Sequence, residues 1–278
     1  YQSFKIEAFI FSSEYEALNI KNEHLGSFQH EIEDFHAKNA IEPKEAPKGE
    51  LQMIIQSHGQ LSIRSIGIVE SNLVESNYEK SVIEDHMKVV NEFQKVEPYG
   101  RLAVYDGPAG TGKTNLIEHF ISSLSSSRFS IIQVPPALIG SLANPEFIPT
   151  LLSEVRNKKS IVFVLEDADD ALVKRSDDKK SGPLSALLNF CDGTIGKKLD
   201  TRIVATTNLS FGEKSEFSHK IDPAADRPGR MFKRIHVGPL NKYDASKVIS
   251  RISRQDIYVE ESMTLAECYQ KAYSILQK

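Results

Sequence analysis

Gly107-Pro-Ala-Gly-Thr-Gly-Lys-Thr114 is the stretch that decides how this 278-residue chain folds. It fits the pattern G-x-x-x-x-G-K-[ST] in full, directly follows the apolar run Leu102–Tyr105, and opens a segment with helical spacing. Glycines at these positions let backbone N–H groups turn inward around phosphates, and a helix N-terminus adds partial positive charge. The predicted phosphate-binding loop is therefore Gly107, Pro108, Ala109, Gly110, Thr111, Gly112, Lys113, Thr114 and Asn115. Lys113 would reach the β and γ phosphates of a nucleotide, and the Thr114 hydroxyl would bind Mg2+. The competing reading is an ordinary Gly-rich turn.

Outward from this loop, short apolar runs alternate with amphipathic helical stretches: Leu102–Tyr105, Ser130–Val134, Ile161–Leu165, Ile203–Ala205 and Ile235–Val237. Runs apolar on both faces suit a parallel sheet covered on each side by helices. The expected fold class is α/β, a P-loop nucleotide-binding domain with a five-stranded parallel sheet between helices over 77–240. A helix is expected from Glu79 to Phe93, and a short helical C-terminal lid over 241–278, with Ala245, Val248, Ile249 and Ile252 on one face. Residues 1–76 read as a small α+β N-terminal module. It comprises a strand over 4–11, a helix within 14–41, a Pro- and Gly-rich linker over 42–50, and a hairpin whose β-prone runs flank Ser57-His-Gly-Gln60.

The third of these runs, Ile161-Val-Phe-Val-Leu165, ends in Glu166-Asp167. A carboxylate pair after a buried strand can hold Mg2+ through one member, Glu166, and orient or deprotonate the attacking water through the other, Asp167. Both residues capping the next helix is the bland alternative. Asp169 and Asp170 read as solvated helix-start residues. The histidines at 24, 30 and 36 lack a metal spacing, and Lys174–Ser181 reads as a charged surface loop.

Composition sets the outer limits. With 40% hydrophobic residues the chain can bury a core, and 34 Lys+Arg against 38 Asp+Glu lack the basic excess of non-specific nucleic-acid binders. Its apolar runs fall far short of the ~20 residues needed to cross a bilayer, and no apolar signal segment opens it. Cys191 and Cys268 are far apart and read as core thiols of a reducing compartment, so a soluble cytoplasmic location is expected. The chain starts at Tyr1 rather than Met and stops within a predicted helix, which reads as a piece of something longer.

Over residues 77–240 the sequence resembles the AAA family of ring-forming ATPases. Gly107–Thr114 is similar to its Walker A loop, Leu165-Glu-Asp-Ala-Asp169 to the end of its Walker B strand, Leu187-Leu-Asn-Phe-Cys-Asp-Gly193 to the following helix, and Val204-Ala-Thr-Thr-Asn208 to its sensor-1 strand. Ile221-Asp-Pro-Ala-Ala-Asp-Arg-Pro-Gly-Arg230 resembles the second region of homology, whose arginines, here Arg227 and Arg230, face the γ-phosphate of a neighbouring subunit. The resemblance implies ATP as ligand, Mg2+ as cofactor, hydrolysis in a site shared between subunits, and a homo-oligomer, hexameric in most members, working on a protein substrate or adaptor. Lys113, Glu166, Asp167, Asn208, Arg227 and Arg230 become the expected catalytic set.

Three departures qualify that picture. The family's Asp-Glu order is reversed to Glu166-Asp167, similar to the mitochondrial branch that translocates the folded Rieske protein, and an aspartate base is about 1.5 Å shorter than a glutamate. Val134-Pro-Pro-Ala-Leu-Ile-Gly-Ser141, where threading members carry an aromatic pore residue, has none: Leu138-Ile139-Gly140 is either a pore loop or a Pro-stiffened connection. The lid lacks a sensor-2 arginine, and Arg251 and Arg254 read as solvated. Two functions follow as expectations: a protein-remodelling ATPase ring, and a slow or non-hydrolysing nucleotide-gated switch. A DNA-remodelling member is the weaker third.

Overall fold

The computed structural model describes residues 48–154, 160–172, 183–209 and 229–277. The strand and hairpin-preceding helix expected over 1–47, the histidines within it, the 174–181 loop and Arg227 lie outside the described residues.

Seven strands form one sheet in the order β2-β1-β4-β5-β6-β3-β7. They are β1 (Glu50–Ser57), β2 (Gln60–Ile68), β3 (Leu102–Asp106), β4 (Phe129–Gln133), β5 (Ser160–Leu165), β6 (Thr201–Thr207) and β7 (Met231–His236). The five runs picked out by their apolarity are β3 to β7, and they pair in parallel throughout. The sheet is larger than the expected five strands, because the hairpin assigned to a separate N-terminal module is part of it. β1 pairs in parallel with β4 through Leu51–Ile131, Gln52–Ile132 and Met53–Gln133, and β2 closes the edge antiparallel to β1. Residues 46–278 form one compact unit.

The helices are α1 (Lys80–Phe93), α2 (Lys113–Ser123), α3 (Ile148–Glu154), α4 (Asp169–Leu172), α5 (Pro183–Asp192), α6 (Thr194–Lys198), α7 (Lys242–Ser253) and α8 (Leu265–Leu276). Strand periodicity sorts the central side chains between two cores. Ala103, Tyr105, Ile131, Val162, Val164 and Val204 belong to one core with residues of α1, α2 and the lid helices α7 and α8. Leu102, Val104, Ile132, Ile161, Phe163, Leu165 and Ile203 face the other layer, which includes α5. Every residue of β5 is buried, and at about 1.5–3 kcal/mol per large apolar side chain this strand anchors both layers.

Polar groups tie the layers together at both ends. At the N-terminal ends of the strands, buried Arg202 donates to the carbonyls of Phe93 and Lys95 and pairs with Asp200, while Arg128 donates to the carbonyls of Gln94 and Lys95. These guanidinium groups satisfy carbonyls that the end of α1 leaves without helical partners. Below the phosphate loop, Tyr105 Oη, His86 and His119 form a line, with 2.8 Å from Tyr105 Oη to His86 Nδ1 and 2.8 Å from His86 Nε2 to His119 Nδ1. It joins β3, α1 and α2. Burial, with His119 adding, pulls the His86 imidazole down to about 3.

The segment read as a possible pore loop is a 3-10 stretch, Pro136–Ala143, packed on α5. Ile139 is 1% exposed and belongs to the core, and Leu138 packs against it, while Gly140 is exposed. Of the two readings of this segment, the Pro-stiffened connection describes the fold. Its apolar residues fill the layer beneath β4 and β5.

Candidate nucleotide-binding site

Parallel strands bring the ends of β3, β5, β6 and β7 to one edge, where ligands of open α/β sheets bind. In the register, Asp106 of β3 stands between Thr207 of β6 and His236 of β7, and Leu165 of β5 stands beside Ala205. Gly107, Glu166 and Asn208, each one residue past a strand end, are thereby adjacent although they span a hundred residues of sequence.

The loop itself needs glycine at two positions. Gly107 has φ +140°, and a Cβ there would stand 2.2 Å from the Val237 carbonyl oxygen; Gly112 has φ +92°, and a Cβ there would stand 2.6 Å from Tyr78 Oη. Gly112 is also the N-cap of α2 and offers no capping side chain, so the first-turn amides face the loop. Lys113 is buried and donates to the Gly107 carbonyl at 2.7 Å, the Pro108 carbonyl at 2.8 Å and Asn208 Oδ1 at 3.0 Å. Burial draws the ammonium below the ordinary lysine range, while Asp167, Asp169 and Asp106 pull the other way. Thr114 and Asn115 are exposed.

Asn208 bridges the loop to the carboxylates: its Nδ2 donates to Asp167 Oδ1 at 3.0 Å while its Oδ1 accepts from Lys113. Asp167 is held in a left-handed conformation, φ +48°, and its backbone N–H donates to Thr206 Oγ1. Glu166 is half-buried; burial, with Asp167 and Glu118 adding, raises its carboxyl above the usual range. Oxygen donors of this kind, a hydroxyl at Thr114 and a carboxylate at Glu166, suit a hard divalent cation such as Mg2+.

Sequence reasoning missed Asp169. Expected to be solvated, it accepts from Thr207 Oγ1 at 2.5 Å and from the Asn208 backbone N–H at 2.8 Å, so it fixes the end of β6 that carries Asn208. Its position within Leu165-Glu-Asp-Ala-Asp169 is the only local signal, and its partners lie 38 and 39 residues on.

Arg230 is elsewhere. Its backbone carbonyl accepts from the N–H groups of Arg101 and Leu102, at the start of β3 rather than its end. At 3.3 Å per residue that is roughly 15 Å along the strand from Gly107. Its side chain pairs with Asp192 and donates to Asn189 Oδ1 at 3.0 Å, both on α5.

The lid meets the loop directly. The Ala266 N–H donates to the Gly110 carbonyl at 2.9 Å, and Thr264 and Glu267 form a capping box that starts α8 at this contact. Arg251, expected in solvent, donates to Ser76 Oγ at 2.5 Å and to Asn77 Oδ1, and Asn77 Nδ2 donates to Tyr269 Oη at 3.0 Å. Tyr78 completes the link by donating to the Gly112 carbonyl at 2.9 Å. Between the segment Asn77–Glu79, the loop and the lid lies a cavity of about 230 Å³, walled by Val82, Val237, Leu240 and Leu265 and reaching Thr111 of the loop.

A Gly-rich loop between a buried parallel strand and a helix, with an acidic strand end and an amide-bearing strand end beside it, defines a P-loop nucleoside-triphosphatase fold. The profile of the ATPase family associated with various cellular activities, AAA, matches residues 104–239, so this part of the chain is an AAA domain. An AAA-ATPase of Arabidopsis thaliana is 32% identical over 174 residues, 57% of this chain and 35% of that protein. The probable mitochondrial chaperone bcs1 of Schizosaccharomyces pombe is 27% identical over 197 residues, 68% and 40% of the two chains. The cell division cycle protein 48 homolog of Archaeoglobus fulgidus is 27% identical over 235 residues, 82% and 30%. The chain spans 30–40% of the length of these relatives. Among the described residues no helix is long and apolar enough to cross a membrane.

Proposed function

We propose that the protein binds and hydrolyses ATP in a site completed by a second copy of itself, as an oligomeric ring that remodels a protein substrate. The observation that carries this reading is the separation of Arg230 from its own phosphate loop. An arginine beside the start of β3 cannot reach phosphates at the end of β3 in its own copy, and to face the P-loop of a neighbouring copy its side chain would leave Asp192 and Asn189, which hold it 11% exposed. An arginine supplied in trans is worth roughly 10³–10⁵ in rate in related nucleotide hydrolases.

Within one chain the roles divide by geometry. The loop amides of 107–115 and Lys113 take the phosphates, which requires Lys113 to exchange the Gly107 and Pro108 carbonyls for phosphate oxygens. Mg2+ would be held by Thr114 and, through water, by Glu166, and it would supply charge neutralisation at the β and γ phosphates. Asp167 and Asn208 orient the attacking water, with Asp167 as base. Asp169 holds Asn208 in place. Arg227 and Arg230 come from the neighbour, six copies closing the ring. A protein substrate or adaptor is favoured over nucleic acid by the net charge of −4, and residues 1–76 are the proposed region for recognising or tethering it. A reducing, cytoplasmic setting accords with Cys191 and Cys268 being buried free thiols.

A second reading, a nucleotide-gated switch with slow turnover, has the short Asp167 side chain behind it. ATP turnover per subunit measured against protein concentration, with Arg230→Ala beside the wild type, separates the two. Turnover that rises with concentration and is abolished in Arg230→Ala while ATP still binds supports the shared-site ATPase. Tight ATP binding with negligible turnover at every concentration rejects it in favour of the switch.

A further inference from the structure

Two uncharged donors hold carbonyls of the phosphate loop. The Tyr78 hydroxyl donates to the Gly112 carbonyl at 2.9 Å, and the Ala266 N–H, in the first turn of α8, donates to the Gly110 carbonyl at 2.9 Å. Gly112 is the N-cap of α2 and its carbonyl already accepts from the Leu116 N–H at 3.3 Å, so Tyr78 is a second donor to the same oxygen. The lid fixes the place of that donor: Asn77, its neighbour in the chain, accepts from Arg251 and donates to Tyr269. Burial lifts the Tyr78 phenol to about 12, so across the neutral range it keeps the proton that it donates.

A trans peptide unit is planar and sets each carbonyl opposite the N–H that follows it, and no peptide bond among the described residues is cis. Turning the Gly110 carbonyl to Ala266 therefore turns the Thr111 N–H away from the lid. Turning the Gly112 carbonyl to Tyr78 likewise turns the Lys113 N–H away from Tyr78. Lys113 opens α2, where first-turn N–H groups have no helical partner, and its ammonium reaches back to the Gly107 and Pro108 carbonyls. These N–H groups are the donors that a phosphate at a helix N-terminus uses. A peptide unit that flipped would set an oxygen against the phosphate in place of a donor.

We propose that Tyr78 is a positioning residue of the phosphate site: with the Ala266 N–H on Gly110, its hydroxyl on Gly112 keeps the loop N–H groups aimed at the phosphates before a ligand arrives. This rests on reading the site as one for a nucleoside triphosphate, and adds that phosphate affinity depends on the segment Asn77–Glu79 and the lid being docked on the loop. Tyr78 also borders the cavity between segment, loop and lid. A ligand made of phosphate alone separates an action on the loop from a contact with the nucleoside.

The test measures binding of ADP, and displacement of a fluorescent ADP analogue by inorganic tripolyphosphate, in the wild type, Tyr78→Phe and Lys113→Ala, at a temperature where thermal melts show all three folded. Tyr78→Phe removes one oxygen and keeps the ring. It is expected to weaken ADP and tripolyphosphate by the same factor, roughly three- to tenfold, the worth of one hydrogen bond. A hydroxyl that served stability alone would lower the melting temperature and move neither affinity, and that result overturns the proposal. So does a loss confined to ADP, which would put the hydroxyl on the nucleoside, and so does a wild type from which millimolar tripolyphosphate displaces nothing. In each of these three cases the nucleotide site stands. If the wild type binds neither ligand and matches Lys113→Ala, the nucleotide reading falls and this proposal with it.

Discussion

Acid should destabilise this fold through one buried ring. His86 has no exposed surface, and burial together with His119 lowers its pKa from 6.5 to about 3. For a base with a depressed folded pKa, the unfolded chain takes up the proton first, so the stability contribution is complete above pH 6.5 and is lost as pH falls towards 3. At 1.36 kcal/mol per pH unit, lowering the pH to 5 costs about 2 kcal/mol, a large part of a domain's net stability of roughly 5–15 kcal/mol. Urea unfolding followed by circular dichroism at pH 7.5 and pH 5.0 measures the loss. His86→Gln keeps a side chain able to bond both Tyr105 Oη and His119 but cannot titrate. Carboxylates contribute equally to both proteins, so the difference between their pH-induced losses isolates His86. A difference of about 2 kcal/mol is expected. Parallel losses in the two proteins would refute the argument that this imidazole is kept neutral by burial.

The other predictions concern the loop, its supports and the lid. Asp169→Ala frees Thr207 and the Asn208 amide; ATP turnover should fall on the order of tenfold, and an unchanged kcat would show that Asn208 is placed without it. Gly107→Ala forces a side chain into φ +140° against the Val237 carbonyl, so the melting temperature should drop, with a cost of about 1–3 kcal/mol; an unshifted melting curve would mean that this turn accommodates a Cβ without strain. Ile139→Asp puts a carboxylate into the core beneath β4 and should cost several kcal/mol, whereas a pore-loop residue would lower substrate processing and leave thermal stability intact. Arg251→Ala should speed amide hydrogen exchange in α7 and α8 with β5 unaffected, and equal exchange would mean that the bonds to Ser76 and Asn77 do not hold the lid.

What was legible in the sequence was local. The phosphate loop is eight consecutive residues, and each central strand is announced by apolar residues on both of its faces, as in Ile161–Leu165. The hairpin was legible as a hairpin, but its membership of the sheet depends on Leu51–Met53 meeting Ile131–Gln133, a pairing about eighty residues away with no signature in either segment. Distance hid the supports as well: Arg251 looks like any charged residue of an amphipathic helix, and its partners Ser76 and Asn77 lie 175 and 174 residues earlier. Ile139 was ambiguous because a Pro-Pro-led apolar stretch suits both a loop tip and a packed 3-10 turn, and only the layer beneath β4 distinguishes them.

The left-handed backbone at Asp167 restricts what this site can become. Aspartate and asparagine tolerate that conformation several-fold better than longer side chains, and the Thr206 hydroxyl fastens the Asp167 amide in it. Exchanging the pair to the family's commoner order would therefore ask a glutamate to adopt a twist it disfavours, and the added methylene would arrive along a different direction. Reach and backbone shape at position 167 are coupled, so a swap of two letters in the sequence does not simply exchange the two roles.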